Sequence, residues 1–223
     1  MKYPLYLLLA LLFLAACGPE PLRSSDDLDI GEPFLSLSFD SPSDFETGDY
    51  PEAGAALSLE DGRYLIRQGG ERTAYIWGQG GEPIQDVVVE ALAMPQTNYP
   101  HDLYGLMCRL DANGAGYLFL LSSDGFGAIA RTDGRSLAFL LPWRQSGAIN
   151  TGPAENTIRG VCVGDYLALY VNGEWLGDVR DSTYSQAGQV GLAAGLFIEG
   201  AGESAEVVVA FDDLRLSPVS LQE

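Results

Sequence analysis

The chain has 223 residues, with 31 acidic and 12 basic side chains and a net charge of −19 at pH 7. That excess repels nucleic acid and anionic lipid headgroups, which excludes polyanionic partners. The length suits one large all-β domain behind a short leader.

In chain order, Met1-Lys2 gives a positive head and Leu5 to Phe13 an apolar run. Small residues follow in Leu14-Ala15-Ala16-Cys17. This is the grammar of a secretory signal. The run is too short for a permanent span, which takes about 20 apolar residues. The Leu-Ala-Ala-Cys tetrad resembles the lipobox of bacterial lipoproteins. The resemblance implies that residues 1–16 form a signal peptide cut before Cys17. The Cys17 thiol then carries diacylglycerol, and the new amine carries a further acyl chain such as palmitate. Two or more chains hold firmly, because each buried methylene contributes about 0.8 kcal/mol. The expectation is an extracytoplasmic protein, lipid-anchored to a bacterial membrane. Lys2 is the only lysine, so the mature chain balances its acids with arginine alone.

Residues 17–33 carry Pro19, Pro21, Pro33 and the polar Ser24-Ser25-Asp26-Asp27. They read as a flexible tether with too few apolar residues for a core. From Phe34 the pattern changes to short runs of period two between turns, and residues 34–223 read as the folded domain. Leu35 to Phe39 alternates. Asp61-Gly62, Asp133-Gly134 and Asn172-Gly173 mark hairpins, since these pairs accept the positive φ that tight turns demand. Further runs are Thr73–Trp77, Asp86–Met94, Tyr104–Leu110, Tyr117–Ser122, Thr157–Val163, Gln189–Ile198 and Glu206–Leu216. No stretch keeps helical spacing over three turns. The fold class is all-β, an antiparallel two-sheet sandwich or jelly roll. With Cys17 assigned to lipid, Cys108 and Cys162 remain, both in strand-like runs. An oxidising compartment predicts a disulfide between them, on adjacent strands with Cα atoms about 5.5–6 Å apart.

Several segments carry a family likeness: Tyr104-Gly-Leu-Met-Cys-Arg-Leu-Asp, Gly116-Tyr-Leu-Phe-Leu-Leu-Ser-Ser-Asp-Gly and Ile158-Arg-Gly-Val-Cys-Val-Gly-Asp. Leu169-Tyr-Val-Asn-Gly-Glu-Trp-Leu, Gly188-Gln-Val-Gly-Leu-Ala-Ala-Gly and Phe211-Asp-Asp-Leu-Arg-Leu add to it. Residues 34–218 resemble the concanavalin A-like, laminin-G-type jelly rolls of bacterial surface proteins. Their relatives include keto-disaccharide hydrolase domains and glycoside hydrolase family sixteen. The likeness rests on strand and turn residues, so it implies a fold that hosts lectins, glycosidases and interaction modules alike.

Family-sixteen enzymes set their carboxylates on one strand as Glu-x-Asp-x-x-Glu, and this spacing does not occur here. The single histidine, His101, lies in a turn-like loop, and no Gly-x-Ser-x-Gly motif serves it. The chain therefore reads as a non-catalytic binding module, most naturally for glycans. The alternatives are a glycoside hydrolase-like enzyme acting on a disaccharide or cell-wall polymer, or a structural envelope protein that meets protein partners. Sugar sites place an aromatic ring beside hydrogen-bonding groups. Trp77, Tyr104, Tyr117, Trp143 and Trp175 supply rings, with Trp175 read as packing at its hairpin. Trp143 stands out because a strand runs into a loop there and Arg144 follows it. Arg109 and Tyr104 are further ligand candidates, on opposite faces of one strand if alternation holds. Jelly rolls of this class often hold Ca²⁺ where the first and last strands meet, which makes Asp40 and Asp212 candidate ligands.

Overall fold

A computed structural model describes residues 28–198 and 203–221. The leader, Cys17 and most of the tether lie outside the described residues. Among the described residues, sixteen strands make up nearly all of the regular structure. They are β1 (Leu28–Ile30), β2 (Leu35–Leu37), β3 (Gly48–Tyr50), β4 (Ala55–Glu60), β5 (Arg63–Gly70), β6 (Ala74–Ile84), β7 (Val87–Pro95) and β8 (Asp102–Leu110). The rest are β9 (Ala115–Ser122), β10 (Phe126–Asp133), β11 (Leu137–Gln145), β12 (Asn156–Val163), β13 (Tyr166–Val171), β14 (Glu174–Arg180), β15 (Gly188–Leu196) and β16 (Ala205–Leu221).

They form two antiparallel sheets. The ten-stranded sheet runs β14-β13-β12-β7-β16-β5-β4-β3, with β1 and β2 also paired to β16. The six-stranded sheet runs β11-β10-β9-β8-β15-β6. Alternation selects what each buries. On β9, Tyr117, Phe119 and Leu121 face the other sheet; on β7, Val87, Val89, Ala91 and Ala93 do so, and all lie in one core cluster. Two glycines let the backbones close on Phe119. A Cβ on Gly160 of β12 would stand 2.2 Å from its ring, and one on Gly105 of β8 would stand 1.9 Å from its carbonyl oxygen. Both are thus close-approach positions within strands, not turns.

The folded part takes in residues at least six positions before the boundary drawn at Phe34. Leu28, Asp29 and Ile30 pair with Leu221, Ser220 and Val219, and Leu28 is buried. The polar tether composition hides a three-residue strand whose stability comes from the long C-terminal strand beside it. Strand β6 extends to Ile84, through Gly81 and Pro83, where only Thr73–Trp77 is legible from sequence. It sits at a sheet edge, which is where glycine and proline are tolerated.

The hairpins at Asp61-Gly62 and Asn172-Gly173 have the expected positive φ at both turn residues. Cys108 and Cys162 are bonded, with Cα atoms 6.8 Å apart. They do not lie on adjacent strands: Cys108 is on β8 and Cys162 on β12, so the bond crosses the core from one sheet to the other. Period-two reasoning shows that each thiol shares a face with core residues, but not which sheet a strand joins.

The Asp212-Asp213 pair serves a β-bulge. Val207, Val209 and Phe211 face the core, and so do Leu214 and Leu216, which needs one extra residue between the two series. The register shifts there, and Asp213 takes φ +49. Asp212 Oδ1 accepts from the Asp213 amide at 2.7 Å. Asp40 accepts from the Ser38 hydroxyl at 2.8 Å. The end strands do pair, β2 with β16. Yet no cluster of three or more His, Cys, Asp or Glu side chains among the described residues is placed to hold a metal. Calcium takes six to eight oxygens, whereas Asp40 and Asp212 each bond locally, to the Ser38 hydroxyl and to the Asp213 amide. The thermal midpoint is expected to be the same in calcium and in chelator; a rise of several degrees with calcium would show that a tight site exists, because a bound ion must stabilise the fold.

Candidate functional site

The six-stranded sheet is apolar on both faces. Its outward positions are Leu103 and Met107 on β8, Leu118 and Leu120 on β9, Ala130 on β10 and Ala193 on β15, all buried. Aromatic side chains from both edges fold over this floor. Tyr75 and Trp77 come from edge strand β6, Trp143 from edge strand β11, and Phe197 follows β15. The Tyr75 hydroxyl reaches across the face to Thr132 on β10, 2.6 Å away. Trp143 meets Phe139 at 5.7 Å between ring centroids and Phe197 at 6.4 Å, edge to face.

Two cavities open on this face and adjoin at Phe197. One, of about 210 Å³, is lined by Trp143, Phe126, His101, Asp102, Ser122 and Asp124, with Pro100 behind. The other, of about 470 Å³, is lined by Tyr75, Trp77, Leu103, Arg135, Leu137 and Phe139. Together they make a groove with a hydrophobic floor, ring-lined sides and a few polar groups, the usual build of a small-molecule site.

Asp102 is the main buried polar group. Its Oδ1 accepts from the Ser123 amide at 2.7 Å and the Ser122 hydroxyl at 3.1 Å, and its Oδ2 accepts from the Ser123 hydroxyl. Burial pushes its carboxyl above the ordinary range, the serine bonds pull against that, and the charge of Asp124 adds to the rise. The Ser122 hydroxyl is thus committed to a carboxylate. His101 stacks edge to face on Tyr99 at 5.8 Å. A retaining glycosidase needs two carboxylates about 5–5.5 Å apart across the scissile bond. The central outward positions of β8 and β9 carry Leu103, Met107, Leu118 and Leu120 instead.

Trp143 is half-buried in the first cavity, and Arg144 is exposed beside it, paired to Gly127 in register. The other two ligand candidates are not available to a ligand. Tyr104 is fully buried in the inter-sheet core, where its hydroxyl accepts from Asn156 Nδ2 at 3.2 Å. Arg109 is buried too, at a bulge with φ +55 that breaks the alternation of β8. Its guanidinium donates to the carbonyls of Gln85 and Tyr184 and to Asp86. Of the other rings, Tyr117 is core, Trp77 lines the second cavity, and Trp175 is 40% exposed on β14, not packed away as its hairpin suggested. Phe197, Phe139 and Tyr75 escaped the sequence reading. One signal pointed to them. Tyr117-Leu-Phe-Leu-Leu is apolar at every position, and a strand apolar on both faces must be covered on both.

No family model and no curated protein matches the chain. Solved structures do. The carbohydrate-binding module CBM66 from Bacillus subtilis aligns with a TM-score of 0.61 at 13% identity, over 78% of this chain and 95% of that one. A Bacillus subtilis protein with a galectin-like fold gives 0.62 at 13%, over 87% and 100%. The beta-glucanase of Bacillus licheniformis gives 0.60 at 7%, over 82% and 96%. The fold is a galectin-like, concanavalin A-like jelly roll. At these identities the likeness establishes the architecture alone, and the site must speak for the chemistry.

Proposed function

We propose that this chain is an extracytoplasmic lipoprotein, anchored through Cys17, whose jelly roll binds glycan without cleaving it. The observation that carries this reading is the groove on the six-stranded sheet. Rings from both edges stand over an apolar floor of Leu103, Met107, Leu118 and Leu120, which suits stacking on sugar faces, and the carboxylates among the described lining residues, Asp102 and Asp124, both lie in the smaller cavity at one end. The fold is shared with a carbohydrate-binding module and with glucanases, as their names state. A glycan array probed with the full chain in detergent tests the reading. Selective retention of a glycan, with no new reducing ends on incubation, supports it; release of reducing ends turns it toward a hydrolase working from Asp102 and Asp124. Failure to retain any glycan rejects both.

The anchor has its own test. Cys17→Ser is expected to move the protein from the membrane fraction to the soluble fraction, since one lost thiol removes the diacylglycerol and blocks the processing that follows. Unchanged membrane association of the variant would reject lipidation at Cys17.

A further inference from the structure

Charge is distributed unevenly along the groove, and the smaller cavity is specialised. Its walls are Trp143, Phe126 and Phe197, and among the described residues its titratable lining side chains are Asp102, Asp124 and His101. Among the described residues no arginine lines it, and the described chain has no lysine. The described lining of the larger cavity is the reverse, with Arg135 and no acid. Trp143 and Phe197 meet edge to face, with ring centroids 6.4 Å apart, and both line the cavity. An aromatic face lining a cavity attracts a cation through the negative potential above the ring, and the two aspartates beside it favour the same sign. His101 and Ser122 complete the polar edge. At about 210 Å³ the space falls below the roughly 300–1,000 Å³ of drug-sized sites, so it admits one ring and not a chain. The net charge of −19 draws cationic oligomers toward the protein and repels sulfated or uronic ones.

We infer that the cavity at Trp143 receives a sugar residue bearing a free protonated amine, an amino sugar without its N-acetyl group. This rests on the glycan-binding reading above and names the ligand class for the same site. The amine sits against the rings and toward Asp124, and the sugar backbone leads into the larger cavity under Tyr75 and Trp77. Asp102, already bonded to Ser122 and Ser123, is held in place in the cavity lining. Asp124 is exposed and has freedom to turn toward the ligand.

The test compares two oligosaccharide series of equal length, β-1,4-linked glucosamine and its N-acetylated counterpart, on the full chain in detergent at pH 6.5 by calorimetry. The expected result is at least about tenfold tighter binding of the free-amine series, shrinking in 0.5 M salt as the charge is screened. Asp124→Asn should lose about tenfold for the free amine and change little for the acetylated form. An unshifted melting midpoint shows that this surface variant folds. Equal or tighter binding of the N-acetylated series overturns the inference but leaves glycan binding standing. An Asp124→Asn variant that keeps the amine preference overturns the placement. Choline bound in place of glucosamine overturns the sugar assignment. Binding of no glycan at all overturns this inference together with the reading beneath it.

Discussion

Replacing Trp143 by alanine is expected to weaken glycan binding by at least about 30-fold, the effect of losing about 2 kcal/mol at a central aromatic contact. The ring is shared between the two cavities' sides: it lines the smaller one and touches Phe139, which lines the larger. It is half-buried, so one side of it packs and the other faces the groove. Trp143→Phe should therefore recover part of the binding, because a smaller ring still lines the cavity with Phe197. Thermal midpoints separate binding from folding. A folded Trp143→Ala protein with unchanged affinity would remove the residue from the site. A variant that unfolds makes Trp143 a core residue, and Trp143→Phe at normal stability with lost binding would return it to the site.

The sandwich was legible because its core faces obey period two with little interference. Strands β7, β9 and β13 read directly, as did the turns at Asp61-Gly62 and Asn172-Gly173. Three features were not legible, each for a physical reason. The bulges at Arg109 and Asp213 put a non-glycine residue at positive φ, which shifts every later side chain to the other face. Alternation counted across Arg109 therefore points it outward, whereas the structure buries it among backbone carbonyls. The short strand β1 alternates over Leu28-Asp29-Ile30 only, too few residues to stand out from the polar tether, and its partner strand supplies the pairing. The groove is built by side chains from β6, β11 and the end of β15, elements far apart in sequence that meet only through sheet order. Trp143 was visible as a ring at a strand end. Its partners Phe197 and Asp124 were not, since neither belongs to any local motif.

Removal of the Cys108–Cys162 bond is the second large effect. The Cys108→Ala/Cys162→Ala double variant is expected to lose about 4 kcal/mol, from the chain-entropy relation applied to a sequence separation of 54. For a domain of this size that is a fall of about 8–16 °C in melting midpoint. The position makes the loss more than one of loop entropy. The bond joins β8 of one sheet to β12 of the other, two residues along β12 from Gly160, where the sheets close on the ring of Phe119. It thus fixes the spacing and lateral register of the two sheets close to the Gly160–Phe119 contact, and both cysteines lie in the same core cluster as that ring. The groove residues lie on the opposite face of the six-stranded sheet, in a separate cluster. Binding by the molecules that remain folded should therefore survive, with affinity within about threefold of the parent well below the new midpoint. A midpoint shift under about 3 °C would show that packing alone holds the sheets in register. Affinity lost in step with stability would show that the groove depends on the spacing this bond sets.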